Sequence, residues 1–120
     1  MRIGDYVRTD DGLIAKYIGY NNEYKWHLFD GKIQWFYEYY RDTIDDDDWE
    51  EFQKEYVIKT SPNLIDLIEV GDYVNGGMVD LINDKYIGIE NQEGYIIKKG
   101  FKIERIVTKE LFESMELKVC

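Results

Sequence analysis

The sequence predicts a mainly β protein made of two tandem, small antiparallel units, and three observations lead to that fold class. The phrase Gly-Asp-Tyr-Val occurs at residues 4–7 and again at residues 71–74. Turn signals recur at intervals that suit short antiparallel strands rather than parallel α/β units. Finally, 44% of the 120 residues are hydrophobic and 16% are aromatic, which is enough for a packed core.

The repeated phrase opens two longer, similar segments. Residues 3–9 read IGDYVRT and residues 70–76 read VGDYVNG, and each leads into a turn that contains glycine. Asp-Gly and Asn-Gly are strong hairpin signals because these residue types tolerate a positive φ. Further along, the phrase Lys-Tyr-Ile-Gly at 16–19 aligns with the same phrase at 85–88. The chain therefore predicts two copies of one structural unit.

Each copy predicts up to five short strands. In the first copy we expect them near residues 3–9, 13–20, 23–30, 32–40 and 56–60. In the second copy we expect them near residues 71–75, 78–82, 85–90, 93–98 and 102–107. The opening Gly-Asp-Tyr-Val, a turn and then an apolar strand is similar to the entry of SH3-like and KOW-type barrels. This resemblance implies that each copy is a small SH3-like or KOW-like barrel.

The predicted organisation has three parts. Residues 1–60 form the first barrel-like unit, residues 61–69 form a short apolar connector, and residues 70–120 form the second barrel-like unit. Thr108 is a suitable cap for a short C-terminal helix in the second unit. The apolar residues at helical spacing in that helix are Leu111, Phe112 and Met115.

The first unit carries an acidic insert at residues 38–56. Residues 38–55 contain nine acids and two bases, so nine minus two leaves a net charge of −7, against −10 for the whole chain. Asp48, with Glu51 three residues later, has the spacing of a capping box and predicts the start of a helix. The aromatic residues on one face of this helix are Trp49, Phe52 and Tyr56. The insert therefore predicts a short acidic helix whose aromatic face rests on the barrel.

The predicted strand before the insert is rich in aromatic residues. Positions 34–40 read QWFYEYY, which puts aromatic side chains on both faces of a strand. A half-exposed strand normally has polar residues on its wet face. Either burial on both sides or an exposed apolar patch would account for this pattern.

The net charge narrows the classes of partner. Twenty-five acids against fifteen bases repel phosphate backbones, so we expect no direct nucleic-acid binding and favour a basic protein partner.

The single cysteine, Cys120, allows no disulfide within the chain, which fits a reducing cytoplasm. The N-terminus lacks the pattern of a signal peptide, and no segment is apolar enough to span a bilayer. We therefore expect a soluble, cytoplasmic protein.

Patterns of catalytic or metal-binding residues are weak. His27 is the only histidine, and a single histidine among aromatic residues in a strand is more often structural than catalytic. One histidine and one distant cysteine nearly exclude a zinc site. The run Asp45 to Asp48 lacks the alternating ligand spacing of a calcium loop. We expect no enzymatic activity, no metal and no cofactor.

Residues 61–76 carry a resemblance to a known group of proteins. They read SPNLIDLIEVGDYVNG and are similar to a signature in many small, mostly uncharacterised proteins of bacteriophages and prophages. Residues 105–110 and 113–116 resemble the ending of the same family. The resemblance implies a mobile-element origin and an infected bacterial host. Residues 20–55 have no such resemblance, so we expect a particular function to reside there.

The first of three possible functions is an anti-defence protein of the anti-CRISPR type. Its carboxylates would imitate phosphates and occupy a basic nucleic-acid-binding surface of a CRISPR effector nuclease. The acidic residues that we expect to bind the partner are Asp45, Asp46, Asp47, Asp48, Glu50 and Glu51. The aromatic anchors that we expect beside them are Trp35, Phe36, Tyr39, Tyr40 and Trp49.

Two alternatives stay open. One is a tandem-barrel interaction adaptor that serves phage or host regulation. The other is a small-ligand binder that sequesters nucleotides, with the tyrosine and tryptophan cluster of the first unit as a stacking pocket.

Overall fold

The computed structural model describes residues 1–34, 43–90, 92 and 94–115. The chain forms two compact units, Met1–Leu67 (the first unit) and Ile68–Cys120 (the second unit). In the described residues, each unit contains one antiparallel five-stranded sheet and one short α-helix. The prediction of a mainly β fold with two short helices is therefore confirmed. The division between the units falls within the segment 61–69 that we interpreted as a connector.

The first unit is a meander whose last strand returns to the first. Its strands are β1 (Tyr6–Thr9), β2 (Ile14–Asn21), β3 (Trp26–Gln34), β4 (Thr43–Asp45) and β5 (Val57–Ser61). Helix α1 (Asp46–Glu51) and a π-helical turn (Phe52–Tyr56) lie between β4 and β5, and a 3₁₀ turn (Leu64–Leu67) follows β5. The sheet order is β4-β3-β2-β1-β5.

The second unit repeats this arrangement. Its elements are β6 (Tyr73–Val74), β7 (Gly77–Ile82), β8 (Tyr86–Ile89), β9 (Ile96–Ile97), β10 (Ile106–Val107) and helix α2 (Lys109–Met115). The sheet order is β10-β6-β7-β8-β9, so the fifth strand again pairs with the first. Within the described residues neither sheet closes into a barrel, because β4 and β5, like β9 and β10, remain at opposite edges.

Each unit has an apolar core of its own. The side chains under 5% exposed in the first unit include Val7, Leu13, Ile14, Phe29, Phe52 and Leu67. Those in the second unit include Val74, Val79, Ile87 and Ile89. Arg8 is also fully buried in the first unit, where its guanidinium donates to the carbonyl of Leu67 at 2.9 Å. This bond ties the 3₁₀ turn to β1.

The phrase Gly-Asp-Tyr-Val forms the same turn in both units. Gly4 and Gly71 have φ angles of 95° and 98°, which side chains other than glycine rarely allow. In each copy the aspartate that follows accepts a hydrogen bond from the backbone N–H three residues before it, at 2.9 Å for Asp5 and 2.7 Å for Asp72. The glycine N–H in each copy donates to the second strand of the sheet, at 2.7 and 2.9 Å. The sequence repeat is therefore also a structural repeat.

The other shared phrase, Lys-Tyr-Ile-Gly, is not equivalent in the two units, so its predicted alignment is wrong. Residues 16–19 lie in the second strand of the first unit, whereas residues 86–88 lie in the third strand of the second unit. Tyr17 N–H donates to the aspartate carbonyl of the repeated phrase, and the matching bond in the second unit comes from Val79. Val79 is therefore the counterpart of Tyr17, because the connection between β1 and β2 is longer than that between β6 and β7.

One long strand, β3, joins the end of the strand predicted at 23–30 to the beginning of the strand predicted at 32–40. No turn forms at Asp30-Gly31, where the two predicted strands would have been separated, because β3 runs through it and Phe29 beside it is 2% exposed. β2 pairs with β3 on both sides of this point. Pairing and burial thus outweigh the local turn preference of Asp-Gly. Residues 35–42 lie outside the described part of the chain.

Helix α2 begins at the predicted residue. Thr108 Oγ1 accepts a hydrogen bond from Leu111 N–H at 3.4 Å, and the buried carboxylate of Asp72 accepts one from Lys109 N–H at 2.9 Å. These two acceptors satisfy N–H groups that have no partner within the helix.

Across the described ranges, no helix combines the length and apolar character needed to cross a membrane.

Candidate functional site

The acidic insert is positioned by the junction between β4 and α1. β4 pairs with β3, which sets Asp45 opposite Trp26 and Ile44 opposite His27. Asp45 keeps an extended backbone (φ −77°, ψ 164°), and its carboxylate accepts a hydrogen bond from Asp48 N–H at 3.2 Å. Asp45 is therefore the N-cap, and the prediction that Asp48 is the cap is wrong. Each of the four aspartates at 45–48 is a suitable N-cap residue. Asp45 is the cap because β4 ends there and α1 begins at the next residue.

A cluster of hydrogen bonds and stacked rings anchors α1 to the sheet. Asp46 Oδ2 accepts a hydrogen bond from the Tyr20 hydroxyl at 2.7 Å, and Asp46 Oδ1 lies 3.0 Å from His27 Nε2. The other ring nitrogen of His27, Nδ1, lies 3.1 Å from the Tyr17 hydroxyl. The imidazole also stacks on the indole of Trp49, with ring centroids 3.6 Å apart and planes at 6°. Two residues of α1 are thus held against β2 and β3.

The acceptor in this cluster determines where the proton of His27 lies. An ionised carboxylate only accepts hydrogen bonds, so His27 Nε2 donates to Asp46. In the neutral imidazole, Nδ1 then accepts from the Tyr17 hydroxyl. Both ring nitrogens have a partner, and the His27 side chain is only 13% exposed. This geometry suits an anchor for the helix.

The same contacts shift the pKa values of the cluster. The hydrogen bond from Tyr20 is the largest cause that lowers the pKa of Asp46, and the hydrogen bond from His27 lowers it further. The bond to Asp46 in turn raises the pKa of Tyr20. Burial, followed by the negative charge of Asp46, raises the pKa of Tyr17. At neutral pH the cluster therefore holds one ionised carboxylate against two neutral phenols.

The aromatic side of the helical segment faces the sheet, as its spacing predicts. Phe52 is 3% exposed and meets Phe29 edge to face at 5.7 Å between ring centroids. Trp49 and Tyr56 contact Phe52 at 6.2 and 6.4 Å. The segment from Phe52 to Tyr56 is a π-helical turn rather than α-helix, which leads the chain from α1 into β5.

The six acidic residues predicted to bind a partner are adjacent at the end of β4 and along α1, and we call this exposed segment the acidic face. All six are exposed, and they are Asp45, Asp46, Asp47, Asp48, Glu50 and Glu51. Within the described residues, the last four of these form no ion pair with a lysine or arginine. The charge of Asp45 is the largest cause that raises the pKa of Asp48, and Glu51 and Asp47 add to the repulsion. The acidic face is therefore electrostatically crowded.

Two exposed aromatic residues beside the acidic face are absent from the predicted set. Tyr24 is 58% exposed and Trp26 is 42% exposed, and their rings stack at 5.3 Å with planes at 28°. Trp26 lies opposite Asp45 in the pairing of β3 with β4. Lys25 lies between these two residues in the sequence, and its carbonyl accepts a hydrogen bond from Asp46 N–H at 3.1 Å. The aromatic pair is thus adjacent to the start of α1.

A turn signal precedes this aromatic pair in the sequence. Asn21 Oδ1 accepts hydrogen bonds from the N–H groups of Glu23 and Tyr24 at 2.9 and 3.1 Å. Lys25 then has a φ of 60°, which is uncommon for a residue other than glycine. An asparagine that bonds the backbone two and three residues ahead is typical of turns. It could have indicated that residues 23–25 form a turn instead of the beginning of a strand.

Four of the five predicted aromatic anchors, Trp35, Phe36, Tyr39 and Tyr40, lie outside the described residues. Trp49, the fifth predicted anchor, is half-buried against His27.

Among the described residues, no group of three or more histidine, cysteine, aspartate or glutamate side chains is arranged to hold a metal ion.

Comparison with protein families, with curated proteins and with solved structures gives no match for this chain.

Proposed function

We propose that the acidic face binds a basic, nucleic-acid-binding protein surface and blocks it by imitating phosphates. Residues 45–51 carry six carboxylates. Five of them lie in α1, whose six residues at about 1.5 Å of rise each span about 9 Å, which gives roughly one negative charge per 1.8 Å. Double-stranded DNA carries about one charge per 1.7 Å of its axis. This match in charge density is the observation that carries the proposal.

The anchoring of α1 supports the same proposal. Asp46 is held by Tyr20 and His27, and Trp49 stacks on the imidazole. A charged segment that is already fixed in place loses little conformational entropy when it binds. The remaining carboxylates can therefore meet a partner's lysines and arginines in one defined arrangement.

The exposed aromatic pair supplies the apolar part of this interface. Interfaces gain much of their affinity from a few buried tyrosine, tryptophan and arginine side chains surrounded by polar residues. Tyr24 and Trp26 are exposed, stacked and adjacent to the acidic face. An arginine from the partner could contact the face of Trp26 and pair with a carboxylate of α1.

We extend the proposal to the class of partner. The resemblance of residues 61–76 to phage and prophage proteins suggests a bacterial defence system as the target. CRISPR effector nucleases hold nucleic acid in a positively charged channel and read a short duplex motif with arginines. An inhibitor with the charge density of DNA would compete for such a channel, in the cytoplasm of an infected bacterium.

We also propose that the two units derive from SH3-like barrels. In both, a four-stranded meander is completed by a fifth strand that pairs with the first. The matching turn at Gly4 and Gly71 supports a common ancestry of the units. This part of the proposal concerns the scaffold and is independent of the target.

The experiment is capture and inhibition of a CRISPR effector with two matched variants. The first variant neutralises four residues of the acidic face that neither cap α1 nor anchor it: Asp47→Asn, Asp48→Asn, Glu50→Gln and Glu51→Gln. The control neutralises four exposed acids elsewhere: Asp10→Asn, Glu90→Gln, Glu104→Gln and Glu113→Gln. Both variants have the same net charge, so they separate position from total charge.

We expect the wild type and the control to capture the effector and inhibit cleavage of its target DNA. The first variant should bind about tenfold more weakly or worse, because several exposed ion pairs of about 0.2–1 kcal/mol each are lost. Full inhibition by the first variant would contradict phosphate mimicry. Capture of a different host protein, with no effector, would favour the adaptor function instead.

A further inference from the structure

A basic and aromatic cavity lies in the second unit, far in sequence from the acidic face. It is open to solvent and has a volume of about 370 Å³. This is within the range of roughly 300–1,000 Å³ that is common for small-molecule sites. The residues that line it are Asp84, Lys85, Tyr86, Ile97, Lys98 and Lys99. Three lysines and one aspartate make its lining positive, although the whole chain has a charge of −10.

The floor of the cavity is an exposed pair of apolar side chains. Tyr86 in β8 pairs with Ile97 in β9, so both side chains point to the same face of the sheet. They are 40% and 59% exposed. Ile87 and Ile96, the next pair, point to the other face, where Ile87 is fully buried. Tyr86 and Ile97 therefore lie on the face opposite the core, where an antiparallel sheet normally has polar residues.

One turn and one cross-strand hydrogen bond fix the backbone at the end of this pair. Asn83 Oδ1 accepts from the N–H groups of Lys85 and Tyr86 at 2.9 and 2.7 Å. At the same end, Lys98 N–H donates to the carbonyl of Lys85 at 2.9 Å. The backbone that carries Lys85 and Lys98 is thus held beside the apolar floor. In the part of the chain that the structure describes, these lysines form no ion pair with an acid.

A second aromatic ring extends the same face. Tyr95 is 64% exposed, and its ring lies against Gly88, two residues after Tyr86 in β8. A Cβ at Gly88 would come within 3.3 Å of the Tyr95 ring and 2.6 Å of the Asp80 carboxylate. Glycine at this position therefore allows the ring to lie close to the backbone.

We propose that this cavity binds a nucleoside phosphate. A flat base would stack on Tyr86, and the phosphate would lie between Lys98 and Lys99. Stacking on aromatic rings combined with lysine contacts to phosphate is how proteins hold single nucleotides and single strands without reading sequence. The same chemistry is present in a free mononucleotide and in a nucleotide of a single-stranded oligonucleotide. The site belongs to the second unit and the acidic face to the first, and their charges are of opposite sign.

The experiment is an NMR titration of the intact chain with four probes. They are adenosine, inorganic phosphate, AMP and an eight-nucleotide oligo(dT). We expect AMP, the oligonucleotide or both to shift the amide signals of Tyr86, Ile97, Lys98 and Lys99 in a saturable way. Adenosine and phosphate alone should bind more weakly than AMP. Saturation by the oligonucleotide alone would identify a strand as the source, and saturation by AMP would identify a free nucleotide.

Matched variants test the two contacts separately. Tyr86→Leu keeps an apolar floor but removes stacking, so binding should weaken roughly 5- to 150-fold, whereas Tyr86→Phe should retain it. The pair Lys98→Gln with Lys99→Gln should weaken binding roughly 2- to 30-fold, and Lys102→Gln, outside the cavity, should not. Ile58→Ala in the first unit is the control for loss of an exposed apolar side chain, and it should leave nucleotide binding unchanged.

Four results would overturn the proposal. They are no saturable shift with AMP or the oligonucleotide, equal binding of adenosine and AMP, shifts confined to the first unit, and unchanged binding after loss of Lys98 and Lys99. Each bears only on the nucleotide site, so it leaves the proposal for the acidic face unaffected. Conversely, failure of effector capture would not affect this site.

Discussion

The imidazole of His27 lies flat on the indole of Trp49, with ring centroids 3.6 Å apart and only 6° between the planes. This contact joins a strand of the first unit to the helix that carries the acidic face. His27 also holds Asp46 through Nε2, so one side chain makes both the apolar and the polar connection to α1. The proposed imitation of phosphates by the acidic face depends on this connection, because it holds α1 in one position on the sheet.

Loss of His27 should therefore release α1 before it unfolds the sheet. We expect His27→Ala to lower the free energy of unfolding of the first unit by about 1–3 kcal/mol, since a ring pair and a hydrogen bond to a charged group are lost. Hydrogen exchange should become faster at residues 46–51 and stay slow in β1 and β2. Uniform acceleration across the first unit would contradict an anchor that acts on the helix.

The assignment of Asp45 as the N-cap can be tested against its neighbour Asp47. Asp45→Ala should lower the free energy of unfolding by about 1 kcal/mol, because Asp48 N–H loses its acceptor. Asp47→Ala removes the same charge from the same turn without removing the cap, so it should have a smaller effect in thermal denaturation. Equal losses from the two variants would show that the cap lies elsewhere.

Neutralising two aspartates of the same turn should change stability in opposite directions. Hydrogen bonds lower the pKa of Asp46, so its ionised form stabilises the fold above the ordinary aspartate pKa of about 3.9. That contribution is lost as the pH falls through the lowered pKa of the folded state. Asp46→Asn should therefore lower the melting temperature at neutral pH.

Repulsion by Asp45 raises the pKa of Asp48, so the sign is reversed for this residue. Its ionised form destabilises the fold above the raised pKa, and the cost disappears as the pH falls below the ordinary value of about 3.9. Asp48→Asn should raise the melting temperature at neutral pH and have no effect in strong acid. A melting temperature that falls in both variants would contradict this electrostatic account.

The core beneath the acidic face should be sensitive to loss of Phe52. Phe52 is 3% exposed and contacts Phe29, Trp49 and Tyr56. Phe52→Ala should cost about 3–5 kcal/mol in chemical denaturation, because it removes a large buried ring and leaves a cavity. Phe112→Ala is a useful control, since Phe112 is 44% exposed in the second unit. A small effect of Phe52→Ala would contradict the packing described for the π-helical turn.

Strand positions could be predicted from the sequence because the relevant signals are local. Turn residues and alternation place β2, β5, β7 and β8 within one residue of their observed bounds. The repeated turn at Gly4 and Gly71 is also predictable from a local cause, because glycine adopts a positive φ more readily than other residues. By contrast, Asp30-Gly31 has a local turn preference that the long-range pairing of β2 with β3 outweighs.

The candidate site was predictable in composition but not in geometry. From the sequence alone, the four consecutive aspartates are equivalent candidates for the N-cap. Only the position at which β4 ends shows that Asp45 is the cap. The roles of Tyr20 and His27 depend on β2, β3 and α1 meeting in space, which no spacing in the chain reveals. The exposure of Tyr24 and Trp26 likewise follows from a turn at residues 22–25, where the sequence predicts the beginning of a strand.

The central claim is that the acidic face occupies the surface on which a partner binds nucleic acid. Competition measures this most directly: labelled duplex DNA is titrated into a CRISPR effector nuclease at increasing concentrations of this protein. The account predicts that the apparent Kd for DNA rises in proportion to the protein concentration, and that the rise is weaker at higher salt. An unchanged DNA affinity in the presence of saturating, effector-bound protein would contradict it.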